Sequence, residues 1–131
     1  MSGETDLPRM LATLEVDVRP GRYVVLTRAV PDAEADAAAE ARIAEAEGLT
    51  YVVPETFARE RGVNDGFVAA WLSLREHSAL HAVGLTAAIA GVLAERGIAC
   101  NVLAGFHHDH LLVPADRRDD AVAALHGLRD A

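Results

Sequence analysis

The order of strand and helix patterns in the second half of this 131-residue chain limits its fold more than any other feature. Residues 67–74 are rich in Phe, Val, Trp and Leu and predict a strand, and residues 85–96 carry an apolar stripe at helical spacing. Strands are also predicted over 98–104 and 110–113, and Asp116 is the predicted N-cap of a last helix. The β-α-β-β-α order lacks one strand of a ferredoxin-like βαββαβ sandwich, an α+β fold with helices on one face of an antiparallel sheet.

The first half of the chain has shorter patterns. A short helix is predicted over 6–14 and a strand over 23–27. Residues 31–41 are mostly Ala, Asp and Glu, which suits a solvated loop or a weak helix, and we favour a loop with a helical turn. Residues 43–53 predict a hairpin, and the proline that follows predicts the start of a short helix.

Length and composition favour a soluble globular chain. A length of 131 residues suits one domain or two interlocked halves. We expect a β-rich half over residues 1–65, packed against an α+β half over residues 66–131. The apolar runs are too short to cross a bilayer and no signal-peptide core is present, so we expect a cytoplasmic protein that does not bind membranes.

The charge balance and the cysteine content exclude further classes. The net charge of -8 comes from 20 acidic and 12 basic residues, and every basic residue is Arg. Such a surface repels phosphate backbones, so we expect no nucleic-acid partner. The single cysteine, Cys100, excludes an internal disulfide and a multi-cysteine zinc site. Its predicted strand position favours a buried small side chain over a nucleophile.

One stretch of the second half resembles a known family. Residues 83–98 read VGLTAAIAGVLAERGI, in which a glycine leads into an apolar helix that ends before Gly-Ile. This resembles the signature of ACT domains, which are regulatory modules. With the stretch 104–114, which reads AGFHHDHLLVP, the chain is similar to small bacterial proteins in which an N-terminal β-rich segment pairs with the ACT unit. The resemblance implies that the first half is ACT-like.

The resemblance also implies a ligand and a place for it. ACT modules typically bind amino acids between two neighbouring domains, so we expect an amino-acid ligand and a homodimer. Their contacts come from the loop after the first strand and from the facing strand. Backbone N–H groups at a helix N-terminus favour a carboxylate, and glycine allows a close approach. The corresponding loop positions in this chain are Ser78, Leu80, Val83, Gly84 and Leu85. The family's polar strand position is Ala99 here, and Asn101, two residues later, is the nearest substitute.

The predicted turn between the last two strands carries the other candidate residues. Asp109 could accept the ammonium group of an amino acid or could close an Asx-turn. His107, His108 and His110 could ligate zinc or nickel, or could form a polar turn.

Three functions therefore stay open at this point. We favour a ligand-binding regulatory module that is not an enzyme. No Walker motif, dinucleotide-binding motif or His-Glu-x-x-His motif occurs, and we expect no cofactor. The alternatives are a metal-dependent enzyme that uses the three histidines and a purely structural dimerisation module.

Overall fold

The computed structural model describes residues 6–63, 66–75 and 83–130, and these form five α-helices and seven β-strands. The helices are α1 (Leu7–Ala12), α2 (Ala33–Ala38), α3 (Glu55–Glu60), α4 (Leu85–Glu95) and α5 (Arg118–Gly127). The strands are β1 (Val16–Val18), β2 (Tyr23–Arg28), β3 (Ala41–Glu45), β4 (Gly48–Pro54), β5 (Val68–Leu74), β6 (Asn101–Ala104) and β7 (Asp109–Pro114).

The chain folds into two compact units that are interleaved in sequence. Residues 20–69 form one, here called the central unit, and the residues on either side of it form the other, here called the flanking unit. The sequence predicted halves of 1–65 and 66–131. In the structure, α1 and β1 instead belong with the second half of the chain.

The central unit has the complete βαββαβ order. Its strands lie in the order β3-β4-β2-β5, and β2 pairs antiparallel with β4 along its whole length. The hairpin of β3 and β4 confirms the predicted one. The first two residues of β5 supply the last strand, with Ala69 opposite Tyr23. The core lies on the helix-covered face of the sheet and consists of Val24, Leu26, Ala35, Leu49, Tyr51, Val53 and Ala58.

The flanking unit contains the predicted β-α-β-β-α order together with the strand that was missing from it. That strand is β1, which pairs antiparallel with β5 and brings Val16 opposite Leu74. The strand order is β1-β5-β7-β6. In a βαββαβ fold the last strand of the chain lies beside the first, and here β1 takes that position beside β5. A three-residue strand is too short for its alternation to be recognised in the sequence.

The core of the flanking unit is larger, because three helices contribute to it. Met10 and Leu14 come from the α1 segment, Ile89 and Leu93 from α4, and Leu125 from α5. All five are buried, and burying one such side chain contributes about 1.5–3 kcal/mol. The α1 segment is therefore an integral part of this unit.

The structure corrects three local predictions. Residues 33–38 form a six-residue helix, the alternative to the favoured loop, because the Asp32 carboxylate caps it and Ala35 is buried. β6 begins at Asn101, three residues later than predicted. Asp116 is not the N-cap of α5, because residues 115–117 form a 3₁₀ turn after Pro114 and the α-helix begins at Arg118.

Candidate functional site

The start of α4 is the best-defined part of the predicted ligand site. Gly84 occupies the N-cap position in the left-handed region at φ +100°, and its carbonyl accepts a hydrogen bond from the Ala88 N–H at 2.9 Å. A Cβ at Gly84 would lie 2.9 Å from Leu7 Cδ2, so α1 packs directly against this backbone. The first turn of α4 contains no acidic residue, and no side chain of residues 6–63, 66–75 or 83–130 caps its N–H groups. These N–H groups lie at the electropositive end of the helix.

The residues on either side of Gly84 have different environments. Val83 is 83% exposed, whereas Leu85 is 3% exposed and belongs to the core. A ligand at this helix end can therefore contact the side chain of Val83, but only the backbone of Leu85. The other two predicted positions of the loop, Ser78 and Leu80, lie outside the described residues.

The two predicted strand residues are not brought together. Asn101 pairs with Leu112 at one end of the β6–β7 hairpin, and Asp109 pairs with Ala104 at the other end. Side chains alternate between the faces of a strand, so Asn101 and Asp109 lie on opposite faces of the hairpin. One small ligand cannot contact both side chains of the same hairpin.

The turn between β6 and β7 is closed by its backbone. The Gly105 N–H donates to the His108 carbonyl at 3.0 Å, and the Asp109 carboxylate makes no hydrogen bond to the described residues. Phe106 is exposed and its ring lies edge-on to His107 at 5.1 Å between centroids. The Asx-turn that the sequence offered as an alternative is therefore absent from this part of the structure.

The three histidines of the turn do not converge. His107 is exposed next to Phe106, whereas His110 is directed to the opposite side, against β5. Over residues 6–63, 66–75 and 83–130, no three His, Cys, Asp or Glu side chains come close enough to hold a metal ion. The histidine cluster read from the sequence is thus not assembled into a metal site by these three residues.

A polar cluster that no local sequence pattern indicated lies on the sheet face opposite the helices of the flanking unit. Ala70, Leu72 and Leu74 of β5 point into the core, so Trp71 and Ser73 point away from it. The Trp71 indole N–H donates to Ser73 Oγ at 3.2 Å, and Ser73 Oγ lies 2.8 Å from His110 Nδ1. The Arg19 guanidinium lies over the Trp71 ring, 4.2 Å from its centroid.

The cluster favours the neutral form of His110. An indole N–H can only donate, so Ser73 accepts from Trp71 and can donate to His110 Nδ1, which favours the neutral ring protonated at Nε2. Burial lowers the pKa of His110, and the positive charge of Arg19 and the electrostatic effect of the His108 ring lower it further. Asp109 acts in the opposite direction, with a smaller effect. Because β5 and β7 are not adjacent in sequence, only the pairing of the strands could reveal this contact.

Cys100 precedes β6 and is half-buried, and burial raises the pKa of its thiol. A raised pKa keeps the thiol protonated, which matches the predicted role as a small apolar side chain. None of the described helices combines the length and the hydropathy that are needed to span a bilayer.

Comparisons with known proteins place the chain in one family. Two ACT-domain family models match, one over residues 2–70 and the other over residues 67–127. Together they cover nearly the whole chain, so the first half matches an ACT model, as the resemblance implied. No curated protein gives a significant match.

Solved structures give the same fold. A Vibrio cholerae protein of unknown function, described as a possible transport protein, is 34% identical with a TM-score of 0.84, and the match covers 94% of this chain and 95% of that one. The ligand-free regulatory subunit of aspartate kinase from Thermus thermophilus is 14% identical with a TM-score of 0.64, over 86% and 95% of the two chains. An Agrobacterium tumefaciens protein is 21% identical with a TM-score of 0.62, over 88% and 89%.

Proposed function

Because this chain belongs to the ACT-domain family, whose members are regulatory ligand-binding modules, we propose that it binds a small amino acid at an interface between ACT units. The observation that carries this proposal is the N-terminus of α4 at Gly84, which no side chain of the described residues caps. We further propose that the protein is a homodimer and that it is cytoplasmic; the two ACT units of each chain would then meet those of the partner chain.

The carboxylate of the ligand would bind at the start of α4. Free N–H groups and the positive end of the helix dipole both favour an anion there. Gly84 supports this role through its left-handed backbone at φ +100°, by which the chain enters α4 without a side-chain cap from this residue. Val83 would contact the side chain of the ligand, and the loop residues Ser78 and Leu80 complete the proposed site.

The ammonium group requires an acceptor on a facing strand. Asp109 is our proposed acceptor, because its carboxylate is partly exposed and unbonded among the described residues. Asn101 lies on the other face of the hairpin, so we propose that it contacts the ligand of a second site or of a neighbouring chain. This division of the two residues is consistent with a ligand shared between ACT units.

A thermal-shift screen against the common amino acids tests the proposal. A ligand that binds only the native state at about 100 times its dissociation constant stabilises it by about 2.7 kcal/mol. We expect at least one amino acid to raise the melting temperature at about 10 mM, and its carboxamide to have no effect, because the amide lacks the anion that the helix end binds. The proposal fails if no amino acid raises the melting temperature.

A matched pair of variants tests the role of Asp109. We expect Asp109→Asn to abolish most of the ligand-induced shift, because the ammonium group loses a charged acceptor. Asp119→Asn removes the same charge from an exposed position in α5 and should leave the shift unchanged. Equal shifts in the two variants would exclude Asp109 from the site while leaving the carboxylate contact intact.

A further inference from the structure

The central unit contains a cleft that is separate from the start of α4. Its volume is about 410 Å³, and it lies where the segment before β2 meets the first turn of α3. Pro20, Tyr23 and Pro54 form apolar walls, while Arg22, Glu55 and Arg59 carry the charges at the rim. The size is within the range of clefts that bind small molecules.

The walls of the cleft are held by contacts within the unit. The Glu55 N–H donates to the Arg22 carbonyl at 2.8 Å, which joins the start of α3 to the start of β2. Tyr23 is buried, and its hydroxyl donates to the Pro20 carbonyl at 3.3 Å. A ligand would therefore meet a preformed aromatic and proline surface, which lowers the entropic cost of binding.

The rim has an excess of positive charge. Glu55 Oε1 lies 2.9 Å from an Arg59 terminal nitrogen and 3.6 Å from Arg22 Nε. Apart from these ion pairs, neither guanidinium makes a hydrogen bond to the part of the chain that the structure describes, although each has several N–H donors. Two positive charges and one negative charge leave a local net charge of +1 in a chain whose overall charge is -8.

We propose that this cleft binds a small organic monocarboxylate with an apolar body, such as an aromatic acid. The carboxylate would bridge the unused donors of Arg22 and Arg59, and the apolar body would lie against Tyr23 and the prolines. A single negative charge neutralises the rim. A second negative charge on the ligand would have no further positive charge of the rim to neutralise, and a cation would meet two arginines.

The two arginines can accept a ligand at little cost to the fold. Their side chains are 57% and 65% exposed, and ion pairs at that exposure contribute little to stability. Glu55 competes with the incoming carboxylate, because it occupies donors of the same guanidinium groups. The proposal therefore requires that removing a positive charge lowers the affinity for the carboxylate and that removing the negative charge of Glu55 raises it.

NMR titration of the full chain with benzoate tests the proposal. We expect saturable shifts of the Gly21 and Thr56 amides and of the Arg59 side-chain N–H, with millimolar affinity. Benzamide has the same shape without the charge, and acetate has the charge without the ring. Each should bind at least about tenfold more weakly than benzoate, since each lacks one half of the proposed contact.

Variants separate a binding site from a general effect of charge. At constant ionic strength, Arg59→Gln should weaken benzoate binding about tenfold, which corresponds to one charge-assisted hydrogen bond. Glu55→Gln should strengthen it, because the competing carboxylate is removed. Arg42→Gln is the matched control, because Arg42 pairs with Asp36 at 3.0 Å and does not line the cleft. If Arg59→Gln does not fold, Arg22→Gln replaces it.

The outcomes distinguish this site from the proposed amino-acid site. Benzoate shifts confined to residues 83–85 would overturn the cleft proposal and leave the amino-acid proposal standing. Equal binding of benzamide, or weaker binding by Glu55→Gln, would also overturn it. Benzoate-induced shifts at Gly21 and Arg59 would support it if the affinity falls in Arg59→Gln and rises in Glu55→Gln. This holds whatever the amino-acid screen shows.

Discussion

The glycine that begins β4 is a position where the backbone tolerates no side chain. Gly48 has φ +149°, in the region that favours glycine, and it follows the turn of the β3–β4 hairpin. A Cβ at this position would lie 2.5 Å from the Arg28 carbonyl oxygen, which is closer than real contacts allow. We predict that Gly48→Ala destabilises the central unit more than any exposed glycine substitution in a helix.

The size of the effect follows from two costs. Holding a non-glycine residue in a sparsely populated backbone region costs about 1–3 kcal/mol. The carbonyl of Arg28 must also move, and Arg28 pairs with Leu49 at the end of the β2–β4 ladder, so we add about 1 kcal/mol for a weakened hydrogen bond. The total of about 2–4 kcal/mol is a large part of the usual stability of about 5–15 kcal/mol.

Urea unfolding monitored by circular dichroism measures this loss, and thermal unfolding should show a melting temperature lower by roughly 6–16 °C. The control is Gly91→Ala in α4, where a Cβ meets no atom within 4 Å. This substitution should stabilise the chain by about 0.5–1 kcal/mol, because alanine favours the helix. A Gly48→Ala variant that is as stable as the wild type would refute the steric reasoning, since the 2.5 Å contact could then not exist.

Two further substitutions test buried polar contacts. The pKa of His110 is lowered in the folded chain, so at about pH 6.5 and below the unfolded chain binds protons more readily at this residue. The free energy of unfolding should therefore decrease as the pH is lowered through this range. In urea titrations, the loss of unfolding free energy between pH 7.5 and pH 5.5 should be smaller for His110→Asn than for the wild type. An equal loss in the variant and the wild type would contradict this prediction. Tyr51→Phe should cost about 1–2 kcal/mol in the same assay at pH 7.5, because the Asp32 N–H donates to the buried Tyr51 hydroxyl at 3.2 Å. A loss below about 0.3 kcal/mol would mean that water replaces the hydroxyl.

The parts of the fold that depend on local periodicity could be predicted from the sequence. The stripe of Leu85, Ile89 and Leu93 indicated α4, and these three side chains are buried in the core. The hairpin of β3 and β4 followed from a glycine turn between apolar stretches. The strand β1 could not be predicted, because its three residues acquire strand geometry only by pairing with β5, which is distant in sequence.

The candidate site was only partly predictable, for a related reason. Gly84 stands out because a glycine before an apolar helix is a local signal. The contact of Trp71 and Ser73 with His110 depends on which face of β5 is covered, and that is decided by tertiary packing. Likewise, the separation of Asn101 and Asp109 follows from strand register, which no single segment specifies.

The division of β5 between the two units has a consequence for how this protein can be cut or recombined. A fragment of residues 66–131 would lose Met10 and Leu14, which are fully buried, and would open the β5 edge that β1 covers. An open edge invites pairing with other chains and aggregation. A fragment of residues 1–65 would lack the last strand of the central unit. The two ACT modules are therefore inseparable by simple truncation, and a fusion or permutation would have to leave both ends of β5 intact.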